Sequence, residues 1–429
     1  MSRLNGAWLT VPGVYFIDVT NRDGDQTARI GLAKLQKTVV NMLLGEMGIH
    51  QSEFGFPVSF HEVPYLNANL ELQERGALRN IILEGWCRAV VGDVQAALEQ
   101  TRVRHLNLSI STSDQMLQRK FQGRYSRAEL LQTMSEAVDA AKQGGALTVG
   151  VNAEDASRTS LEFLTEFAGV AKEHGADRIR YCDTLGTDDP FSIYDRSNRL
   201  AKGGGLPVEA HCHNDLGMAA ATSVAGALGC IDAGYDAYIN TTVNGVGERA
   251  GNADLLSCLL ALRHAPAARG RGLIDSRIDL TKAWRLANYV ADAFGIPIPL
   301  NQVGVGGNAF AHESGIHADG ALKDRRNYEL YDPEELGRGA AQTVQTGREI
   351  LTGTHGGVAG LAHVLKTRLG VADPPADRLR EVLHLVQLAT LSTQKPLTDE
   401  ELRLVWEHPD IAYQLVAPPA PPQKPRSRA

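Results

Sequence analysis

Short apolar and β-branched runs alternate along the chain with longer stretches whose apolar positions recur every three or four residues. The short runs are Val14–Asp18, Ile49–Phe54, Ile81–Glu84, His105–Ile110, Leu147–Asn152, Arg178–Cys182, Val208–His211 and Ala237–Thr241. Between them, Leu32, Leu35, Val39, Leu43 and Met47 line one face of a helix expected over Gly31–Gly48. Ser126-Arg127-Ala128-Glu129 has the spacing of a capping box that opens a helix running to about Lys142. Eight such units predict an α/β fold, a closed (β/α)8 TIM barrel over residues 11–263. Residues 264–278, rich in Ala, Gly and Arg, read as a linker. A small, mostly helical C-terminal part is expected over 279–410, reaching over the barrel mouth and opening with a helix at Leu280–Phe294. The Pro-rich, basic stretch 411–429 is expected to be disordered.

In a barrel of this kind the chemistry gathers at the C-terminal ends of the strands. The polar residues there are Arg22 and Asp23, Glu53, Arg88, Ser109 and Ser111, Glu154 and Asp155, Asp183 and Thr184, His211 and His213, and Asn244. In His211-Cys212-His213 the two imidazoles share one face of an extended strand and Cys212 takes the other. An isolated pair of this sort is as readily two surface or capping histidines. Here Asp23 is placed at the same mouth, and one carboxylate with two imidazoles suits Mn2+, Co2+, Zn2+, Fe2+ or Mg2+. Three protein ligands leave positions open for substrate, as a catalytic site requires. Asn252, at the end of the glycine-rich loop Asn244–Asn252, either approaches such a metal or belongs to a purely structural turn.

Arg22, Arg88 and Arg158 near strand ends predict an anionic substrate, although Arg158 can equally pair within Glu154-Asp155-Ala156-Ser157-Arg158. His312, Glu313 and His317 fall outside the barrel, where a histidine is more often a surface residue than a proton-transfer group. With 43% hydrophobic residues the chain can bury a large core, and its formal net charge of −7 gives no sign of a nucleic-acid or membrane partner. Five cysteines without a C-x-x-C pair argue for a reducing compartment, and a cytoplasmic protein is expected.

Taken in order, the motifs resemble the acyl-CoA-dependent, metal-using synthases that include 2-isopropylmalate, citramalate and homocitrate synthases. They are Asp18-Val19-Thr20-Asn21-Arg22-Asp23-Gly24-Asp25-Gln26, Glu53-Phe54-Gly55-Phe56-Pro57, Glu154–Arg158, Asp183-Thr184-Leu185-Gly186, His211–Gly217, Asn244–Asn252 and Ser314-Gly315-Ile316-His317. The resemblance implies that Asp23, His211 and His213 bind a divalent metal, with Asn252 at a fourth position. It places Arg22 beside a developing oxyanion and Gln26 on the substrate, gives His317 a part in proton transfer, and carries over Tyr328 as a further catalytic residue. It also implies acetyl-CoA as co-substrate and a homodimer with exchanged C-terminal parts. The first motif departs from the family's usual T-L-R-D-G-E-Q, with Asn21 for Leu and Asp25 for Glu. That form looks most like the branch of homocitrate-synthase-like proteins and 2-phosphinomethylmalate or 2-phosphonomethylmalate synthases. The additional regulatory domain of leucine-pathway members is not expected.

The reaction expected is condensation of an acetyl group onto the carbonyl of an anionic 2-oxo acid, with release of CoA. Arg88, with Ser109, Ser111 or His61, is the expected reader of the acceptor's distal group, and Glu53, Glu154, Arg158 and Thr184 complete the expected substrate-binding set. An arginine-lined mouth favours an acceptor with a second anionic end. The first motif tilts the choice to phosphinopyruvate or phosphonopyruvate in antibiotic biosynthesis, with 2-oxoglutarate next and other citrate-type acceptors after it. The rival classes are a retro-aldol lyase on the same barrel and a binding protein without catalysis.

Overall fold

The structure is a computed structural model that describes residues 12–339, 351–354 and 356–417, with a short backbone pairing of Arg3–Leu4 and Ala7–Trp8. Eight parallel strands close into a barrel: β1 (Val14–Asp18), β2 (Gln51–Gly55), β3 (Ile82–Arg88), β4 (His105–Ser111), β5 (Thr148–Glu154), β6 (Arg178–Asp183), β7 (Val208–Cys212) and β8 (Ala237–Thr241). β8 pairs with both β7 and β1, with Ala237 opposite Val14 and Thr241 opposite Asp18. The helices α1 (Lys34–Met47), α2 (Val63–Glu74), α3 (Val91–Gln100), α4 (Arg127–Gln143), α5 (Leu161–Glu173), α6 (Pro190–Gly204), α7 (Ala219–Asp232) and α8 (Leu255–His264) follow the strands in turn. This is the predicted α/β barrel. The expected box at the start of α4 is present, with the Ser126 hydroxyl accepting from the Glu129 amide.

The apolar core lies between strands and helices, where Phe16, Leu44, Leu106, Val149, Ile179 and Phe167 are fully buried. Inside the barrel the filling is different. Glu53, Glu84, Asn107, Arg178, Arg180, Glu209 and Asn240 are all buried. Three carboxylates and two guanidiniums therefore occupy space that aliphatic side chains usually fill. Burying charge is tolerable only where each group is paired, and the interior meets that demand through Arg178 and Arg180 on β6.

The segment read as a linker is fastened to the barrel: the Val14 amide donates to the Leu273 carbonyl at 2.8 Å, and Ala268 and Leu273 are buried. α9 (Ala283–Phe294) follows, then α10 (Gly315–Lys323), α11 (Val358–Leu369), α12 (Ala376–Thr393), α13 (Asp399–Glu407) and α14 (Pro409–Val416). α13 and α14 pack on α1 and α2 at the flank of the barrel. Tyr289 there donates to Glu401 at 2.9 Å, and Arg75 pairs with Asp410 at 2.5 Å. The stretch expected to be disordered from 411 is helical as far as Val416, because Ile411, Ala412, Leu415 and Val416 bury a continuous apolar stripe. The prolines from Pro418 onward lie outside the described residues. No helix among the described residues is long and apolar enough to cross a membrane.

Candidate active site

The loop after β1 turns back on the strand, with the amides of Arg22, Asp23 and Gly24 all donating to the Val19 carbonyl. That turn aims Asp23 at His211 and His213, which stand two strands away at the end of β7. One ligand atom from each of the three lies within 4.8 Å of the other two, and all three residues are buried. His211 is held from behind: its Nδ1 meets the Asn240 Oδ1 at 3.0 Å, and its Nε2 stands 4.0 Å from the Asp23 Oδ2. Asn252 joins the group through the glycine-rich loop. Gly251 has φ of +92° and a Cβ on it would lie 2.0 Å from the Gly245 carbonyl oxygen, so only glycine permits this close return of the chain. The Asn252 Nδ2 donates to the Asp23 Oδ2 at 2.7 Å.

Electrostatics keep this group in ligand form. Burial alone would raise the Asp23 carboxyl, but the Arg22 guanidinium and the two imidazoles hold it well below the usual carboxylate range. Burial pushes His211 down to about 3 and lowers His213, so both rings are neutral near neutral pH. The His213 Nδ1 and the Asn252 Oδ1 are buried polar atoms without a hydrogen-bond partner among the described residues. Unsatisfied acceptors of this kind beside a carboxylate and a second imidazole fit a divalent first-row cation.

Arg22 is fixed by two carboxylates, with Nη1 on the Asp23 Oδ1 at 2.6 Å and Nε on the Glu53 Oε1 at 2.5 Å. Glu53 lies beneath the mouth, fully buried; despite that burial, Arg180 and Arg22 hold its carboxyl at about 2. Above them opens a cavity of about 510 Å3. Arg22, Asp23, Gln26, Arg88, Ser109, Ser111, Glu154, Thr184, His211 and His213 all line it, so the structure brings most of the expected residues together.

Several are placed differently from expectation. His61 is exposed and stacks edge-on against Phe60 outside the cavity. Arg158 is taken up by Asp155, at 2.7 Å, and does not line the cavity. Arg88 reaches the wall, but its guanidinium is forked onto Asp93 at 2.8 Å on both arms. His317 and Tyr328 stack on each other with ring centroids 4.3 Å apart, exposed, and neither lines this chain's own cavity. Sequence reading missed Lys120, Trp86, Tyr125, Phe56, Phe121 and Arg249. Lys120 lies within 2.6 Å of Glu154, in a short segment with no strand-end position to flag it. Trp86 points inward from β3, and its buried indole N–H has no partner among the described residues.

The two departures in the first motif lie behind the site. Asn21 is buried and donates to the Lys37 carbonyl and to Asn41; Asp25 accepts from the Leu32 amide and pairs with Lys37, each at 2.7 Å. Neither touches the cavity, so the tilt towards a phosphorus acceptor loses its physical basis.

Residues 13–290 match the HMGL-like family, and residues 305–369 match the homocitrate synthase post-HMGL domain-like family. The chain belongs to the HMGL-like family. Within it, the protein is an acyltransferase of the synthase type, as its relatives' names indicate. A citrate (Re)-synthase of Dehalococcoides mccartyi is 53% identical over 94% of this chain and 97% of that protein. A 2-isopropylmalate synthase 2 of Caldanaerobacter subterraneus is 40% identical over 92% and 95%. A homocitrate synthase 1 of Nostoc sp. is 35% identical over 90% and 94%. The barrel is also similar to the crystal structure of the Bacillus subtilis HMG-CoA lyase, with TM-score 0.54, 18% identity and coverage of 67% of this chain and 96% of that one. At that identity the likeness concerns the fold. The HMGL-like relatives named here give no support to a phosphinomethylmalate synthase, and that preference is set aside in favour of the citrate, homocitrate and isopropylmalate group.

Proposed function

We propose that this protein is a metal-dependent citrate-forming synthase. It adds the acetyl group of acetyl-CoA to the carbonyl carbon of oxaloacetate and then hydrolyses the thioester, releasing CoA. The observation that carries this reading is the 53% identity to a citrate (Re)-synthase over nearly the full length of both chains. The mouth supports it chemically, since Arg22 and Lys120 line a cavity that already holds hydroxyl donors from Ser109, Ser111 and Thr184.

Asp23, His211 and His213 are the residues that would hold the divalent ion, with the unpartnered Asn252 Oδ1 beside them. When bound, such an ion polarises a carbonyl as a Lewis acid and offsets negative charge on its oxygen. Arg22, with Nε and Nη1 held by Glu53 and Asp23, keeps Nη2 for an oxygen of the acceptor. Gln26 lies within 3.4 Å of the Arg22 Nη1 and reads the same part of the substrate. Lys120 and Ser111, gathered around Glu154, face the acceptor's second carboxylate. Phe56, Trp86, Phe121 and Tyr125 supply the apolar part of the wall.

A base must take a proton from the acetyl methyl group, and His317 is assigned this role in a second copy's cavity. The supporting feature is α10, which carries His317, has no buried side chain among those described, and leaves Ile316 and Leu322 75% and 89% exposed. An exchanged arrangement would cover that surface. The match of residues 305–369 to the homocitrate synthase post-HMGL domain favours 2-oxoglutarate as the second reading. Thiol release from acetyl-CoA with Mn2+ or Co2+, run against oxaloacetate, 2-oxoglutarate, 2-oxoisovalerate and phosphonopyruvate, tests the assignment. Oxaloacetate is expected to give the highest kcat/KM, and a preference for any other acid overturns it.

A further inference from the structure

We infer that Asn240 is a positioning residue that fixes which nitrogen of His211 carries the proton. The contacts that decide this lie one layer below the mouth. Glu209, two residues before His211 on β7, points into the barrel and is fully buried. Its Oε2 accepts from the Arg178 Nε at 2.6 Å and its Oε1 from the Arg180 Nε at 2.5 Å. The same Oε1 lies 2.6 Å from the amide nitrogen of Asn240 on β8. A carboxylate so engaged only accepts, so the Asn240 side chain must present its NH2 to Glu209. An asparagine amide is otherwise free to be read either way round, but here only one orientation satisfies both ends.

With its NH2 committed, Asn240 turns its carbonyl oxygen to His211, 3.0 Å from Nδ1. That oxygen has no hydrogen to give, so Nδ1 must be the protonated nitrogen of the neutral ring. The lone pair is then on Nε2, the atom facing Asp23. A chain of three buried residues thus converts the charge of Arg178 and Arg180 into a defined imidazole tautomer. Among the described residues His213 has no comparable support, since its Nδ1 is buried without a partner there. The inference rests on the metal-holding reading of Asp23, His211 and His213, and it adds the residue that orients one of those ligands.

Two measurements on the full-length, metal-stripped protein test it. In the first, Co2+ alone is titrated calorimetrically into wild type, Asn240→Leu and Asn240→Asp. Asn240→Leu is expected to weaken Co2+ binding about 10- to 100-fold, the usual effect of losing a partner behind a metal ligand. Asn240→Asp keeps an acceptor for Nδ1 and, when protonated, a donor for Glu209, so it should recover most of the affinity. In the second, 15N-histidine spectra of wild type should show His211 protonated on Nδ1. Equal Co2+ affinity in wild type and Asn240→Leu overturns the inference, as does a wild-type His211 protonated on Nε2. The wild-type spectrum decides this even if Asn240→Leu does not fold. No Co2+ binding by wild type would instead overturn the metal reading beneath it, which is a distinguishable result.

Discussion

Replacing Arg180 by Met removes the centre of the charged barrel interior while keeping much of its volume. Arg180 is fully buried, and it joins the Glu53 Oε2 at 2.6 Å to the Glu209 Oε1 at 2.5 Å. Its loss leaves two carboxylates in a dry interior with one guanidinium fewer, and breaking a buried pair in this way costs roughly 3–5 kcal/mol. The titration of Glu53 points the same way. Its carboxyl is held at about 2, against an ordinary 4.5, chiefly by Arg180 and then by Arg22, acting against burial. The sign follows from the direction of the shift. A carboxyl held low stabilises the fold above its unfolded value and loses that contribution as pH falls through its folded value. Urea denaturation of metal-stripped wild type and Arg180→Met, followed by circular dichroism, should therefore differ by about 3 kcal/mol at pH 7. The gap should narrow as pH falls towards 2, where Glu53 takes up its proton in the wild type as well. A loss below about 1 kcal/mol at pH 7, or a gap independent of pH, would refute the view that Arg180 holds this interior together.

Lys120→Ala should raise the acceptor KM about 10-fold or more, the usual worth of a charge-assisted contact, while the acetyl-CoA KM stays put. An unchanged acceptor KM would remove Lys120 from the acceptor site. Arg158→Ala and His61→Ala should leave steady-state kinetics within a factor of about two, because one side chain is spent on Asp155 and the other lies outside the cavity. Burial holds His211 at about 3 against an ordinary 6.5, so the unfolded chain takes up its proton first as pH falls. Metal-stripped wild type should accordingly lose thermal stability between pH 6.5 and 5, and His211→Gln should lose less over the same interval.

The barrel was legible because its signal is repeated: eight short apolar runs, each followed by a helical period, leave few other closed arrangements. Strand ends also pointed to the mouth, since position along a strand fixes which side chains meet there. Asp23, His211 and His213 were found this way although nearly two hundred residues separate them in sequence. What stayed hidden depends on pairing. Nothing local says that Arg88 meets Asp93, that Arg158 meets Asp155, or that Lys120 meets Glu154 on the cavity wall. The same limit explains the acceptor. Asn21 and Asp25 look like changes in the catalytic motif, but their side chains turn back onto α1, and a linear motif does not distinguish the two directions. The charged interior was equally invisible, because Glu84, Arg178, Arg180 and Glu209 sit in runs that read as buried strand, with no sign of which cation meets which anion.

On the proposed function, one carboxylate and two imidazoles at the barrel mouth serve a condensation of acetyl-CoA with oxaloacetate. The most direct measurement follows citrate and free thiol together, from acetyl-CoA and oxaloacetate, in EDTA-dialysed protein before and after Mn2+ or Co2+ is restored. Dialysed wild type should form neither, restoration should bring back both in equal amounts, and Asp23→Ala should stay silent throughout. Undiminished citrate formation by the dialysed protein, or by Asp23→Ala, would contradict the account.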